Sequence, residues 1–136
     1  IFFKIIMVEN KQKYKQLLEF AKQALEFSYS PYSEFKVGAA VLCESDKVFC
    51  GTNVENASYG LSVCAERVAV WTAIANGAKK IKAVAICSKK GSVTPCGACR
   101  QVISEFSKNA DIIYNDKKGN IKIIKLSELL PKTFSL

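Results

Sequence analysis

The sequence predicts an α/β fold of three layers, α/β/α, with a five-stranded mixed sheet held between helices. Three observations carry this expectation. Apolar residues recur at helical spacing near the start, five short β-rich runs follow, and helical segments separate the apolar run at 81–87 from the strands on either side. The expected element order is α-β-β-α-β-α-β-β. At 136 residues, with 49% hydrophobic and 24% charged, the chain fits one domain with a core of its own.

Tyr14, Leu17, Leu18, Ala21, Ala24 and Leu25 share one face of a helix expected from Lys11 to about Phe27. Ser28 to Glu34, which carries Pro31, reads as a loop. Lys36–Cys43 and Lys47–Asn53 flank the turn Glu44-Ser45-Asp46 and form a hairpin. Cys64–Ala75 is apolar almost all round and stops at Asn76-Gly77, so a buried helix is expected. The run Ile81–Cys87, apolar except for Lys82, marks a central strand covered on both faces. Pro95 opens a helix over Gly97–Phe106; Asp111–Tyr114 and Asn120–Ile124 then flank the turn 116–119, and Ser127 is placed to cap a short last helix. The opening Ile1-Phe2-Phe3-Lys4-Ile5-Ile6 has neither the basic start nor the cleavage site of a signal peptide. With Met7, the only methionine, taken as the natural start, residues 1–6 are expected to lie outside the fold.

Twenty Lys and Arg against 12 Asp and Glu give a formal charge of +8, and there is no His. A metal must therefore be held by Cys or carboxylate, and the usual general base is missing. Apart from Arg67 and Arg100 the basic residues are scattered lysines without interleaved aromatics, the pattern of a solvated surface and not of a nucleic-acid platform. No apolar run approaches the roughly 20 residues of a membrane span. Six Cys without a secretory signal are expected to be reduced thiols or metal ligands in a cytoplasmic protein.

Cys96-Gly97-Ala98-Cys99 follows Pro95 at one helix start, and Cys64-Ala65-Glu66 opens another. Unpaired N–H groups and the positive helix end favour a thiolate at both places. Two such ends facing each other would gather three thiolates and leave zinc one open position, the mark of catalytic zinc. Glu66 shares that site only at the very start of its helix, since i and i+2 otherwise face apart. Three thiolates on zinc carry a net −1, which calls for nearby positive charge; Arg67 and Arg100 sit beside the motifs. Other readings stay open: core thiols, a redox pair, a first-turn acid at Glu66, or a structural zinc module closed by Cys43, Cys50 or Cys87. A Cys43–Cys50 disulfide across the hairpin also stays open, although core thiols are preferred for these three.

Cys64-Ala65-Glu66 with Pro95-Cys96-Gly97-Ala98-Cys99 resembles the zinc nucleoside deaminase signature. Together with Tyr29-Ser30-Pro31-Tyr32-Ser33-Glu34-Phe35-Lys36-Val37-Gly38-Ala39-Ala40 and Asn53-Val54-Glu55-Asn56-Ala57-Ser58-Tyr59, it is similar to the small homotetrameric cytidine deaminases over about Tyr14 to Phe134. The resemblance implies the cytidine-deaminase-like fold and one zinc per subunit on Cys64, Cys96 and Cys99. It implies that Glu66 moves protons and that cytidine and 2′-deoxycytidine are hydrolysed to the uridines. Asn53, Val54 and Glu55 would meet the ribose, Phe35 would pack on the pyrimidine, and Ala65 would offer its backbone to the base. Tyr59 and Phe134 would reach neighbouring subunits' sites in a homotetramer. A deaminase of polynucleotide or of a nucleoside antibiotic is the alternative that the basic charge suggests.

Overall fold

The computed structural model describes residues 2–4 and 10–136. Five strands, β2 (Val37–Cys43), β3 (Lys47–Thr52), β4 (Ile81–Ser88), β5 (Asp111–Asn115) and β6 (Ile121–Lys125), form a mixed sheet with helices α1 (Asn10–Leu25), α2 (Ala65–Ala75), α3 (Gly97–Phe106) and the single turn α4 (Leu126–Leu129). A short strand, β1 (Phe2–Lys4), pairs antiparallel with Lys47–Phe49 and adds a sixth strand, so the order is β1-β3-β2-β4-β5-β6. Part of the segment expected to stand apart thus joins the sheet edge; Ile1, Ile5 and Ile6 lie outside the described residues.

Alternation along the strands builds two cores. Ala40 and Leu42 of β2 and Ala83 and Ala85 of β4 face Leu17, Leu18 and Ala21 of α1. Val37, Ala39 and Val41, with Val84 and Ile86, face Ala65, Ala69, Val70 and Ala73 of α2 and Ile103 of α3. Each fully buried Leu, Ile or Val contributes about 2 kcal/mol relative to exposure. Strand β4 lies between β2 and β5 and feeds both cores, as its apolar run Ala83–Cys87, preceded by the exposed Lys82, requires.

Two glycines set how closely the layers approach. A Cβ at Gly38 would lie 2.0 Å from the Ala21 carbonyl oxygen of α1, and one at Gly51 would lie 2.4 Å from the Ala69 nitrogen and 2.6 Å from the Ala65 carbonyl oxygen of α2. Both helices therefore touch the sheet through main chain.

Strand direction decides where the helices begin. β2 runs antiparallel to both β3 and β4, so β3 and β4 are parallel, and β5 is parallel to β4. Helix α2 follows β3 and α3 follows β4, both on the same face. Their N-termini consequently emerge at one edge of the sheet, the carboxyl ends of the parallel strands, where open α/β sheets bind ligands.

Two details differ from expectation, and one open alternative closes. α2 is not buried all round: Ala65, Ala69, Val70 and Ala73 are buried, but Trp71 is 49% exposed on its outer side. Ser127 is the second residue of α4, not its cap; the Lys125 N–H donates to Glu128 Oε2 at 3.1 Å and starts the turn earlier. Cys50 stands opposite Ala40, and Cys43 points into the other core, so the hairpin carries no disulfide and all six cysteines are free.

Candidate active site

Cys64 is the N-cap of α2 and Cys96 the N-cap of α3, both with extended backbone (ψ 154° and 167°), while Cys99 lies in the first turn of α3. Because Cys64 precedes the helix, the facing conflict between i and i+2 does not arise. Cys64 and the second helical residue, Glu66, line the same cavity. The three sulfurs lie within 4.8 Å of one another, with Cys64 Sγ 3.8 Å from Cys96 Sγ. Among the described residues this is the only cluster of three or more such side chains, and none of Cys43, Cys50 and Cys87 joins it. The four-thiolate reading therefore loses its fourth ligand.

Arg67 Nη2 donates to Cys64 Sγ at 3.4 Å. Hydrogen bonds from Cys99 first, and then from Arg67 and Cys96, pull the Cys64 thiol down to about 5, so Cys64 ionises ahead of Cys99. Cys99, fully buried behind it, is pushed well above the ordinary thiol range, first by the hydrogen bond it gives Cys64 and then by burial. The donor set fits zinc: three soft ligands converge, helix ends and one guanidinium offset their charge, and the open side faces a cavity.

That cavity, of about 400 Å³, is lined among others by Phe35, Asn53, Glu55, Ala65, Glu66 and Thr94. Its size suits a small polar molecule with a ring. Glu66 is only 4% exposed, and burial pushes its carboxyl up to about 7, with the Cys64 charge adding to the rise and its own N–H opposing it. A carboxyl that titrates near neutrality can both take and give a proton.

The family model for the cytidine and deoxycytidylate deaminase zinc-binding region matches residues 11–115. The chain belongs to this deaminase family. It is 45% identical over 123 residues to a cytidine deaminase of Halalkalibacterium halodurans, covering 89% of this chain and 93% of that one. Against a cytidine deaminase of Sporosarcina psychrophila it is 42% identical over 123 residues, 89% and 90% of the two chains. The crystal structure of cytidine deaminase from Burkholderia pseudomallei superposes with a TM-score of 0.83 at 42% identity, covering 94% of this chain and 100% of that one. The enzyme from Mycobacterium tuberculosis gives 0.82 at 37%, over 96% and 100%.

In this deaminase-family chain the remaining residues divide by where the fold places them. Phe35, Asn53, Glu55 and Ala65 line the cavity, as the motifs suggest. The Val54 side chain is outside that lining; its backbone bridges Tyr29 and Val63 and holds Asn53 and Glu55 in place. Tyr59 and Phe134 are 77% and 72% exposed and stand apart from the cavity of their own chain. Arg67 reaches a thiol, whereas Arg100 donates through Nε to the Pro95 carbonyl at 2.8 Å and through Nη1 to the Leu129 carbonyl at 2.9 Å. It ties the loop before Cys96 to the end of α4. Ser62, Val63, Val93 and Thr94 also line the cavity and went unread; each lies within two residues of a zinc-motif residue, Cys64 or Pro95, and adjacency was the only signal.

Hydrogen-bond capacity at the outer end of the cavity is nearly used up. Asn53 Oδ1 accepts from Ser28 Oγ and from the Val37 N–H, and Nδ2 donates to the Phe35 carbonyl at 2.7 Å. Glu55 Oε1 accepts the N–H groups of Tyr32 (2.9 Å) and Ser33 (3.1 Å), and Oε2 accepts the Ser33 hydroxyl. The amide keeps one free N–H and the carboxylate about one free lone pair. One donor beside one acceptor suits a single hydroxyl group.

Proposed function

We propose that this protein is a zinc-dependent hydrolase that deaminates cytidine and 2′-deoxycytidine to uridine and 2′-deoxyuridine in pyrimidine salvage. The observation that carries the reading is the buried Glu66 beside three convergent thiols, in a cavity whose far end offers one hydroxyl-binding pair. Cys64, Cys96 and Cys99 hold the zinc, which when bound supplies Lewis acidity and makes a water nucleophilic at neutral pH. Glu66 takes one proton from the attacking water and delivers it to N3 of the pyrimidine; it then takes the remaining proton from the C4 hydroxyl and delivers it to the amine, so that the C4 oxygen becomes a carbonyl as the C4–N bond breaks and ammonia leaves. Phe35 packs on the ring, the Ala65 backbone meets the base, and Asn53 and Glu55 bracket a sugar hydroxyl. Arg67 holds Cys64 in place as the neighbouring charge.

An ultraviolet assay with free cytidine tests this. Loss of the cytidine band is expected, with single-stranded polynucleotide turned over far more slowly because its sugar hydroxyls are esterified. Equal rates on polynucleotide would overturn the nucleoside reading.

The chain works in this reading as a cytoplasmic homotetramer, with Tyr59 and Phe134 contributed to neighbouring subunits' sites. Supporting it are Tyr59, Leu61, Trp71 and Phe134, large apolar side chains left 49% to 77% exposed on the single chain. Light scattering is expected to give four times the mass of the chain, and a monomer at assay concentration would overturn the shared sites.

A further inference from the structure

Ser33 lies between the two halves of the site without lining the 400 Å³ cavity. Its hydroxyl oxygen accepts the Phe35 N–H at 3.0 Å, and its one proton goes to Glu55 Oε2. The rotor is thus fixed from both ends: with a lone pair taken by the aromatic wall's own backbone, the proton must point at the carboxylate. Among the described residues, Glu55 is otherwise held only at Oε1, by two backbone N–H groups of the same loop. The oxygen left to receive a ligand hydroxyl is therefore the one that Ser33 orients. Glu55 is depressed below the ordinary carboxylate range, first by this hydroxyl, so the acceptor is a charged one.

We infer that Ser33 is a positioning residue: its hydroxyl couples the Phe35 wall to the Glu55 acceptor and so sets how strongly the site distinguishes a nucleoside bearing a sugar hydroxyl from one without it. The inference rests on the nucleoside reading above. Ser33 is exposed, so its substitution leaves the core untouched.

Calorimetry on the zinc-loaded protein with uridine and with 2′,3′-dideoxyuridine reads the effect without turnover. Ser33→Ala is expected to weaken uridine about tenfold and dideoxyuridine less than about twofold, the scale of one hydrogen bond to a charged group. Ser33→Thr, which keeps the hydroxyl, restores the wild-type ratio. An Ala variant that weakens both ligands equally, or a ratio that Thr does not restore, overturns the inference. A wild type that binds both nucleosides but does not deaminate cytidine overturns the proposed reaction and leaves the two binding ratios to judge Ser33. Binding of neither overturns both.

Discussion

Glu66→Gln is expected to lower kcat for cytidine by about 10³-fold while leaving bound zinc near the wild-type amount. The amide matches the carboxyl in shape and sits in the same 4%-exposed pocket, so α2 and the thiols have no reason to move. What disappears is the ability to accept a proton and hand it on. Metal content and turnover measured on the same samples separate the two effects. A Gln variant as active as wild type would remove Glu66 from the chemistry.

A comparable loss by a different route is expected for Cys99→Ala. Cys99 is fully buried, and its hydrogen bond to Cys64 is the largest influence on the ionisation of both. Two thiolates make a poor zinc site, and a metal that binds only the folded state also stabilises it, so zinc, activity and melting temperature should fall together. Cys43→Ala and Cys87→Ala are the controls. Neither sulfur belongs to the cluster, and both variants should keep zinc and turnover. Retention of stoichiometric zinc by Cys99→Ala would show that the metal sits elsewhere.

Local features of this fold were readable because they depend on neighbours in sequence. The helix at Gly97–Phe106 begins and ends where Pro95 and the apolar spacing place it, and the Ile81–Cys87 run, apolar but for Lys82, becomes the strand with a core on each side. The three thiols and Glu66 were legible from their positions at helix starts. Their convergence was not: Cys64 and Cys96 are 32 residues apart, and only the shared direction of β3, β4 and β5 brings their helix ends to one sheet edge. Strand β1 escaped for a related reason, since its partner, Lys47–Phe49, lies more than forty residues on and nothing local marks the pairing. The contacts of Arg100 were equally illegible, because sequence adjacency to Cys99 says nothing of the carbonyls its guanidinium meets.

The contact at Gly51 bears on how this site could evolve or be redesigned. With the Ala65 oxygen and Ala69 nitrogen occupying the space of a Cβ, the depth of Glu66 relative to the sheet is a matter of main-chain thickness, independent of which side chains fill the core around Val41, Val70 and Ile86. Core composition can drift, with its consequences confined to thermal tolerance, while the catalytic constellation keeps its registration. Position 51 has no such freedom, because any side chain there would lever the first turn of α2, and with it Glu66, away from Cys96 and Cys99 of α3.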